Sequence, residues 1–185
     1  MTMQTEINRY DNSTYKPGGN LLKRLCWYYV NILFFKSGMI PSSALKCTLL
    51  RVFGAKIGKG VNIKPCINIK YPWRLSIGDY TWIGENSWID NLDNVIIGKN
   101  CCISQGAMLL CGNHNFKKST FDLITGEITL EDGVWIGAFS IVCPGIRCKS
   151  HAVLAVNSVA TRDLDPYGIY QGNPAIKVKD RVINT

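Results

Sequence analysis

The sequence predicts an all-β solenoid, a parallel β-helix built from hexapeptide repeats. The first observation is that Ile, Leu or Val recurs every six residues, a period that fits neither an α-helix nor a half-buried strand. The second is that small or β-branched residues recur four positions after these anchors. The third is that glycine often follows an anchor directly. A short repeat sustained over about a hundred residues is typical of a solenoid, and a six-residue period is typical of a parallel β-helix.

The repeat assigns the inward and outward positions of each coil. The anchors are Ile57, Ile63, Ile69, Ile77, Ile83, Ile89, Val95, Ile97, Ile103, Leu109, Leu130, Ile136, Val142, Cys148, Leu154 and Ala160. The second inward positions are Val61, Ile67, Thr81, Ser87, Cys101, Ala107, Val134, Ser140, Ile146, Ala152 and Ser158. Their small size suits a narrow, densely packed interior. Trp82, Trp88 and Trp135 directly precede anchors, so we expect them to face outward.

Coil length follows from the Ile-Gly pairs at 57, 77 and 97, which recur every 20 residues. Three hexads account for 18 of these residues, so each coil needs a two-residue bulge. We expect the bulges near 71–74 and 92–95. The glycines after anchors are expected at tight corners where the backbone takes a positive φ. They are Gly58, Gly78, Gly84, Gly98 and Gly137.

Three segments are predicted: an N-terminal extension over 1–54, the β-helix over 55–165 and a C-terminal tail over 166–185. The extension contains two candidate helices, 20–37 and 42–53. The apolar stretch over 25–35 is shorter than the roughly 20 residues that span a bilayer. Two interpretations of residues 20–37 stay open, a helix that caps the first coil and an amphipathic anchor that contacts a membrane peripherally.

Composition narrows the class of partner. The formal net charge is +8, but the basic residues are dispersed and no nucleic-acid-binding motif is present, so we expect no nucleic acid partner. The charge suits a phosphate-bearing cofactor or an anionic membrane surface. The 8 cysteines form no C-x-x-C pair, and no signal peptide is recognised. This pattern favours free thiols in a cytoplasmic protein without a metal site.

The period is lost between Leu109 and Leu130, which predicts a loop over 110–128 that leaves the solenoid. Long loops on rigid scaffolds often carry function. This loop contains His114, one of 2 histidines in the chain. The other, His151, is expected at a solvated corner.

The residues around His114 carry a resemblance. The segment Cys111–Phe116 (CGNHNF) resembles the catalytic segment of the hexapeptide-repeat acetyltransferases. Further segments are similar to the subgroup that serves colanic-acid and exopolysaccharide synthesis: Leu50–Gly60, Tyr71–Asp79, Trp88–Leu92, Ile103–Phe116, Gly133–Ala138 and Gly172–Ala175. The resemblance implies a left-handed β-helix and a homotrimer with active sites between subunits. It also implies metal-free transfer of acetyl from acetyl-CoA to a sugar hydroxyl, with His114 as general base.

The same resemblance implies the binding residues. Those expected to hold the sugar are Asn86, Asp90, Asn91, Asp93 and Asn113. Those expected to hold coenzyme A are Ala138, Val156, Thr161, Arg162, Lys177 and Lys179. An alternative role for Asp90, capping a turn, stays open. The chain departs from the family at Ile176, where relatives have a basic residue that contacts phosphate, and Lys177 follows.

Other functions compete with this one. Cys111 lies three residues before His114 and could act as a nucleophile. The same scaffold could acetylate an antibiotic or other xenobiotic, or serve as a non-catalytic scaffold. A β-helical carbonic anhydrase needs three histidine ligands for zinc, and the chain has only 2 histidines.

Overall fold

The structure, a computed structural model that describes residues 4–184, is a three-sided parallel β-solenoid with helices at its N-terminal end. Sheet A contains β1 Lys56–Ile57, β4 Leu75–Ile77, β7 Val95–Ile97, β12 Ile128–Leu130 and β15 Arg147–Cys148. Sheet B contains β2 Asn62–Ile63, β5 Trp82–Ile83, β8 Cys102–Ile103, β13 Trp135–Ile136, β16 Val153–Leu154, β18 Gly168–Gly172 and β19 Ala175–Asp180. Sheet C contains β3 Asn68–Ile69, β6 Trp88–Asp90, β9 Met108–Leu110, β14 Ile141–Val142 and β17 Val159–Ala160. A separate hairpin pairs β10 Gly112–His114 with β11 Leu123–Thr125.

The interior confirms the six-residue period. The anchors stack in register from coil to coil, as in the series Ile63, Ile83 and Ile103. From Ile63 onward every anchor is between 0 and 2% exposed, and Ile57 in the first coil is half-buried. The second inward positions are also buried, and the hydroxyls among them bond within the prism. Ser140, for example, donates to the carbonyl of Ala155 at 2.6 Å. The core is therefore a continuous column along the solenoid axis.

The bulges lie where the 20-residue coil requires them. A single 3₁₀ turn, Pro72–Arg74, precedes β4. One coil later the buried side chain of Asn91 accepts from the backbone N–H of Tyr71 at 2.9 Å and donates to its carbonyl. Asn91 thus satisfies backbone groups that the bulge removes from the sheet ladder.

The physical reason for glycine after an anchor differs from the one expected. These glycines do not adopt positive φ. A Cβ on Gly78 would instead lie 2.6 Å from the carbonyl carbon of Gly98, so glycine is needed because successive coils approach too closely for a side chain. Positive φ falls three residues after an anchor, mostly on other residue types. These positions are Gly60, Cys66, Tyr80, Asn86, Asn100, Gly106, Gly133, Phe139, Gly145, His151 and Asn157.

Two outward-facing expectations have different outcomes. Trp82, Trp88 and Trp135 do face outward, at 56%, 38% and 46% exposure. His151 lies at a corner as expected, but it is not simply solvated. Its ring is half-buried and stacks on Tyr167 with centroids 4.8 Å apart.

The N-terminal helices cover the first coil. Helix α1 spans Leu21–Val30, continues as a π-helical segment Asn31–Lys36, and is followed by α2, Ser43–Val52. The indole N–H of Trp27 donates to the carbonyl of Ile69 at 2.9 Å, and Lys46 donates to the carbonyl of Lys64 at 3.1 Å. Burial lowers the pKa of Lys46. Within residues 4–184, no helix combines the length and the apolar character needed to cross a membrane.

Candidate active site

The His114 loop is a β-hairpin rooted at the corner between sheets C and A. It leaves the solenoid after Leu110, which pairs with Asp90 of the preceding coil. The N–H of Cys111 donates to the carbonyl of Asp90 at 3.2 Å, and the N–H of Gly126 donates to the carbonyl of Cys111 at 2.9 Å. These two bonds close the base of the hairpin, so its position relative to the rigid coils is fixed.

His114 ends β10 with its ring held on two sides. Nδ1 lies 2.9 Å from the carbonyl oxygen of Phe121, and the two rings stack with centroids 4.4 Å apart. Tyr10 makes an edge contact with the imidazole at 5.7 Å. A carbonyl oxygen can only accept, so this contact puts the proton of the neutral ring on Nδ1. Nε2 then carries the free lone pair, which is the form a general base needs.

The N-terminal segment forms a second wall beside the hairpin. The N–H of Glu6 donates to the carbonyl of Ser119 at 2.7 Å, and the hydroxyl of Tyr15 donates to the carbonyl of Leu92 at 2.7 Å. Burial raises the pKa of Tyr15 to about 12, so this hydroxyl stays protonated. Between the segment and the hairpin lies a cavity of about 480 Å³ with a polar lining that includes Asp11 and Asp122. Sequence reasoning missed this wall because nothing local links residues 6–15 to a hairpin a hundred positions later.

Asp90 lies directly beneath the hairpin root. Its side chain is 14% exposed and forms an ion pair with Lys70 at 3.0 Å. It also lines a groove of about 330 Å³ between α1 and sheet C, together with Tyr28 and Trp88. Asp90 is therefore mostly buried, with one side at the wall of this groove.

The remaining predicted acceptor residues lie in different settings. Asn113 is exposed beside His114, and Asp93 is half-buried and accepts from the N–H of Asn94 at 2.7 Å. The structure contradicts the prediction that Asn91 binds the acceptor. Its side chain is 0% exposed and bonds to the backbone of the bulge, so its role is structural. Asn86 is exposed at the corner between sheets B and C, across the width of sheet C from the hairpin.

The predicted coenzyme residues divide between two edges. Ala138 and Val156 lie on the corner between sheets B and C, where the N–H of Asn157 donates to the carbonyl of Ala138 at 2.8 Å. Thr161 and Arg162 are exposed at the corner after β17, the edge that also carries the hairpin. Since β9, β14 and β17 are successive neighbours in sheet C, Thr161 lies two coils from the hairpin root, about 10 Å along the axis.

The two lysines of the tail are exposed on β19. Lys177 pairs with Asp180 at 2.7 Å. A single protomer therefore does not bring all predicted coenzyme residues to one place. Among residues 4–184, no cluster of three or more His, Cys, Asp or Glu side chains could hold a metal ion.

Cys111 does not have the surroundings of a nucleophile. It is 0% exposed, and its thiol donates to the carbonyl of Asn94 at 3.8 Å. Burial raises the pKa of the thiol to about 12, so the thiolate is scarce at neutral pH. We expect Cys111→Ala to leave the rate of acetyl transfer nearly unchanged while lowering stability by about 1 kcal/mol through lost packing. Steady-state kinetics and thermal melts would check both. A large loss of rate in a normally folded variant would support Cys111 as the nucleophile.

Comparison with known proteins decides the family. No protein-family model matches the chain. The chain is 33% identical over 165 residues to “Putative colanic acid biosynthesis acetyltransferase WcaF” of Escherichia coli (strain K12), covering 89% of this chain and 91% of that protein. The chain belongs to the hexapeptide-repeat acetyltransferase family. The predicted class of enzyme, an acetyltransferase, is therefore confirmed.

Other acetyltransferases share shorter or structural similarity. A chloramphenicol acetyltransferase of Klebsiella aerogenes is 33% identical over 113 residues, covering 50% of this chain and 54% of that protein. A Vibrio cholerae hexapeptide-repeat acetyltransferase solved with acetyl-CoA superposes with a TM-score of 0.79 at 20% identity, covering 88% of each chain. A maltose O-acetyltransferase of Clostridium difficile 630 gives 0.79 at 20% identity, covering 98% of this acetyltransferase and all of that chain. The predicted fold class, a left-handed β-helix with an N-terminal helical extension, is confirmed.

Proposed function

We propose that this enzyme transfers the acetyl group of acetyl-CoA to a sugar hydroxyl in exopolysaccharide or related glycan synthesis. The name of the Escherichia coli relative supports the glycan role, and the acetyl-CoA complex of the Vibrio cholerae neighbour supports the donor. The observation that carries the chemistry is the contact between His114 Nδ1 and the Phe121 carbonyl, 2.9 Å long. It leaves Nε2 free to accept the hydroxyl proton.

The proposed reaction is a direct transfer without an acetyl-enzyme. Nε2 of His114 takes the proton as the hydroxyl oxygen attacks the thioester carbonyl carbon. The tetrahedral intermediate then collapses, the C–S bond breaks, and the imidazolium returns its proton to the departing thiolate. General-base catalysis contributes about 10²–10⁴-fold, and positioning both substrates together contributes more.

We assign acceptor binding to the polar groups around the hairpin root. Asp90, Asp93 and Asn113 share this edge with His114, and sugar hydroxyls pair well with carboxylate and amide oxygens. Asp90 is the strongest candidate because it lies at the hairpin root and also borders the groove between α1 and sheet C.

The division of the site between two edges favours an assembly of copies, which the resemblance to the family implies is a homotrimer. One edge of sheet C carries His114, Thr161 and Arg162, and the other carries Asn86, Ala138 and Val156. A groove between the hairpin edge of one copy and the opposite edge of the next would unite both sets. In that groove Lys177 and Lys179 of the tail would supply cations for the coenzyme phosphates.

An acceptor screen tests the proposal. Purified enzyme is mixed with labelled acetyl-CoA and a panel of sugars, nucleotide sugars and oligosaccharides, with chloramphenicol as the comparison acceptor. We expect acetyl esters on one or more sugar acceptors and a far lower rate with chloramphenicol. The reverse ranking would support the second candidate, an antibiotic O-acetyltransferase, which the partial match to chloramphenicol acetyltransferases favours.

The third candidate, a non-catalytic scaffold, makes a separate prediction. Isothermal titration with coenzyme A should give measurable binding to the acetyltransferase at millimolar ligand. Absence of binding, with a normally folded protein, would favour the scaffold.

A further inference from the structure

The outer face of α1 and the π-helical segment is apolar. The inner face buries Trp27, Asn31 and Phe35 against the first coil, as a cap should. The opposite face exposes Leu21, Leu22, Leu25, Tyr28, Tyr29, Ile32 and Leu33, with exposures between 37% and 69%. A surface helix normally turns charged and polar residues to water on this side. A contiguous exposed apolar patch of this kind marks an interaction site.

The stretch of sequence that carries this face has charges of one sign, and Asp90 of sheet C is an acid at the edge of the face, in the groove beside Tyr28 and Ile32. Residues 12–78 contain 11 Lys and Arg and no Asp or Glu, while the rest of the chain contains 10 Lys and Arg and 13 Asp and Glu. The whole positive excess therefore lies in the N-terminal part that carries the apolar face. In the described part of the chain, Lys70 is the one basic residue of this stretch that forms a salt bridge. Lys16 and Lys36 are exposed just before and at the end of the helical segment.

We propose that the apolar face of residues 21–33 docks this acetyltransferase on an anionic lipid bilayer, with the helix lying in the plane of the interface. The helices of residues 4–184 are too short or too polar to span a membrane, which leaves peripheral contact as the geometry. Leucines would enter the boundary between headgroups and acyl chains. Tyr28 and Tyr29 suit the headgroup region, where amphipathic rings concentrate. Lysines and arginines flanking an interfacial helix are attracted to anionic headgroups.

A second copy that binds through this same face is a weaker occupant than lipid. Two copies that bury the same patch against each other would bring two unpaired basic regions together, which costs free energy through like-charge repulsion. An anionic bilayer offers both an apolar phase and opposite charge. Lipid therefore satisfies the two observations at once.

Vesicle co-sedimentation of the full-length protein tests this inference. Wild type should pellet with vesicles containing phosphatidylglycerol and remain largely in the supernatant with pure phosphatidylcholine. Leu22→Gln/Leu25→Gln/Leu33→Gln should weaken binding at least about tenfold, because three buried aliphatic side chains are lost from the interface. The matched control is Ile176→Gln/Val182→Gln/Ile183→Gln, which changes three exposed aliphatic residues of the tail and should bind as wild type.

A second pair of variants tests the electrostatic half. Lys16→Gln/Lys36→Gln should weaken binding to anionic vesicles by about tenfold, whereas Lys99→Gln/Lys149→Gln should not. Circular dichroism melts confirm that each variant is folded. The proposal is overturned if the wild-type protein does not bind anionic vesicles. It is also overturned if light scattering shows that the leucine variant has a smaller assembly mass, because a second copy then covers the face.

Discussion

His114→Ala should lower kcat/KM for acetyl transfer by about 10²–10⁴-fold, the range that a general base contributes. The expected loss follows from the ring geometry, in which Nδ1 is committed to the Phe121 carbonyl and only Nε2 can take a proton. The variant should keep its affinity for coenzyme A, because the imidazole acts on the hydroxyl and not on the donor. Steady-state kinetics with calorimetry of coenzyme A binding measure both quantities.

His151→Asn is the matched control for this experiment. It removes the other histidine of the chain, and asparagine tolerates the positive φ of 60° at that corner. This variant should retain most of its activity. An undiminished rate in His114→Ala, or an equal loss in both variants, would remove His114 from the proposed mechanism.

Ile136→Ala should destabilise the protein by about 2–5 kcal/mol, the usual cost of truncating a buried aliphatic side chain to alanine. Ile136 is 0% exposed and pairs in register with Ile103 on one side and Leu154 on the other. Backbone hydrogen bonds hold neighbouring coils at a fixed spacing, so the surrounding chain cannot move in to fill the cavity without breaking those bonds. Urea unfolding followed by circular dichroism measures the change.

The control for this variant is Ile176→Ala, which removes the same atoms at a position that is 64% exposed. It should change the free energy of unfolding by no more than about 0.5 kcal/mol. A similar loss of unfolding free energy in both variants would contradict the assignment of the six-residue anchors to the hydrophobic core.

The solenoid could be predicted from the sequence because its period is local. Each anchor, such as Ile83 or Val142, repeats the same environment every six residues, and a pattern repeated this often overrides the ambiguity of any one position. The role of His114 as a loop residue also followed from local information, since the period stops before it. The predicted reason for glycine at position 78, a positive φ, was wrong. The actual reason is the short distance from Gly78 to the next coil, which no local pattern reveals.

The long-range contacts of the site lay beyond the sequence. Asn91 reads as a polar corner residue, and only the register of two coils shows that its amide binds the backbone of Tyr71. The contact between Glu6 and Ser119 joins segments far apart in the chain, so the second wall of the site was not expected. The division of the coenzyme residues between two edges likewise needs three-dimensional placement.

A structure with coenzyme A bound tests the central claim most directly. The proposal predicts a trimer in which the sulfur of the coenzyme reaches the groove at the hairpin edge. A sugar hydroxyl hydrogen-bonded to Nε2 of His114, at about 2.6–3.2 Å, could then attack the thioester. A coenzyme whose sulfur lies at another edge, with His114 facing open solvent and no neighbouring copy, would contradict the account.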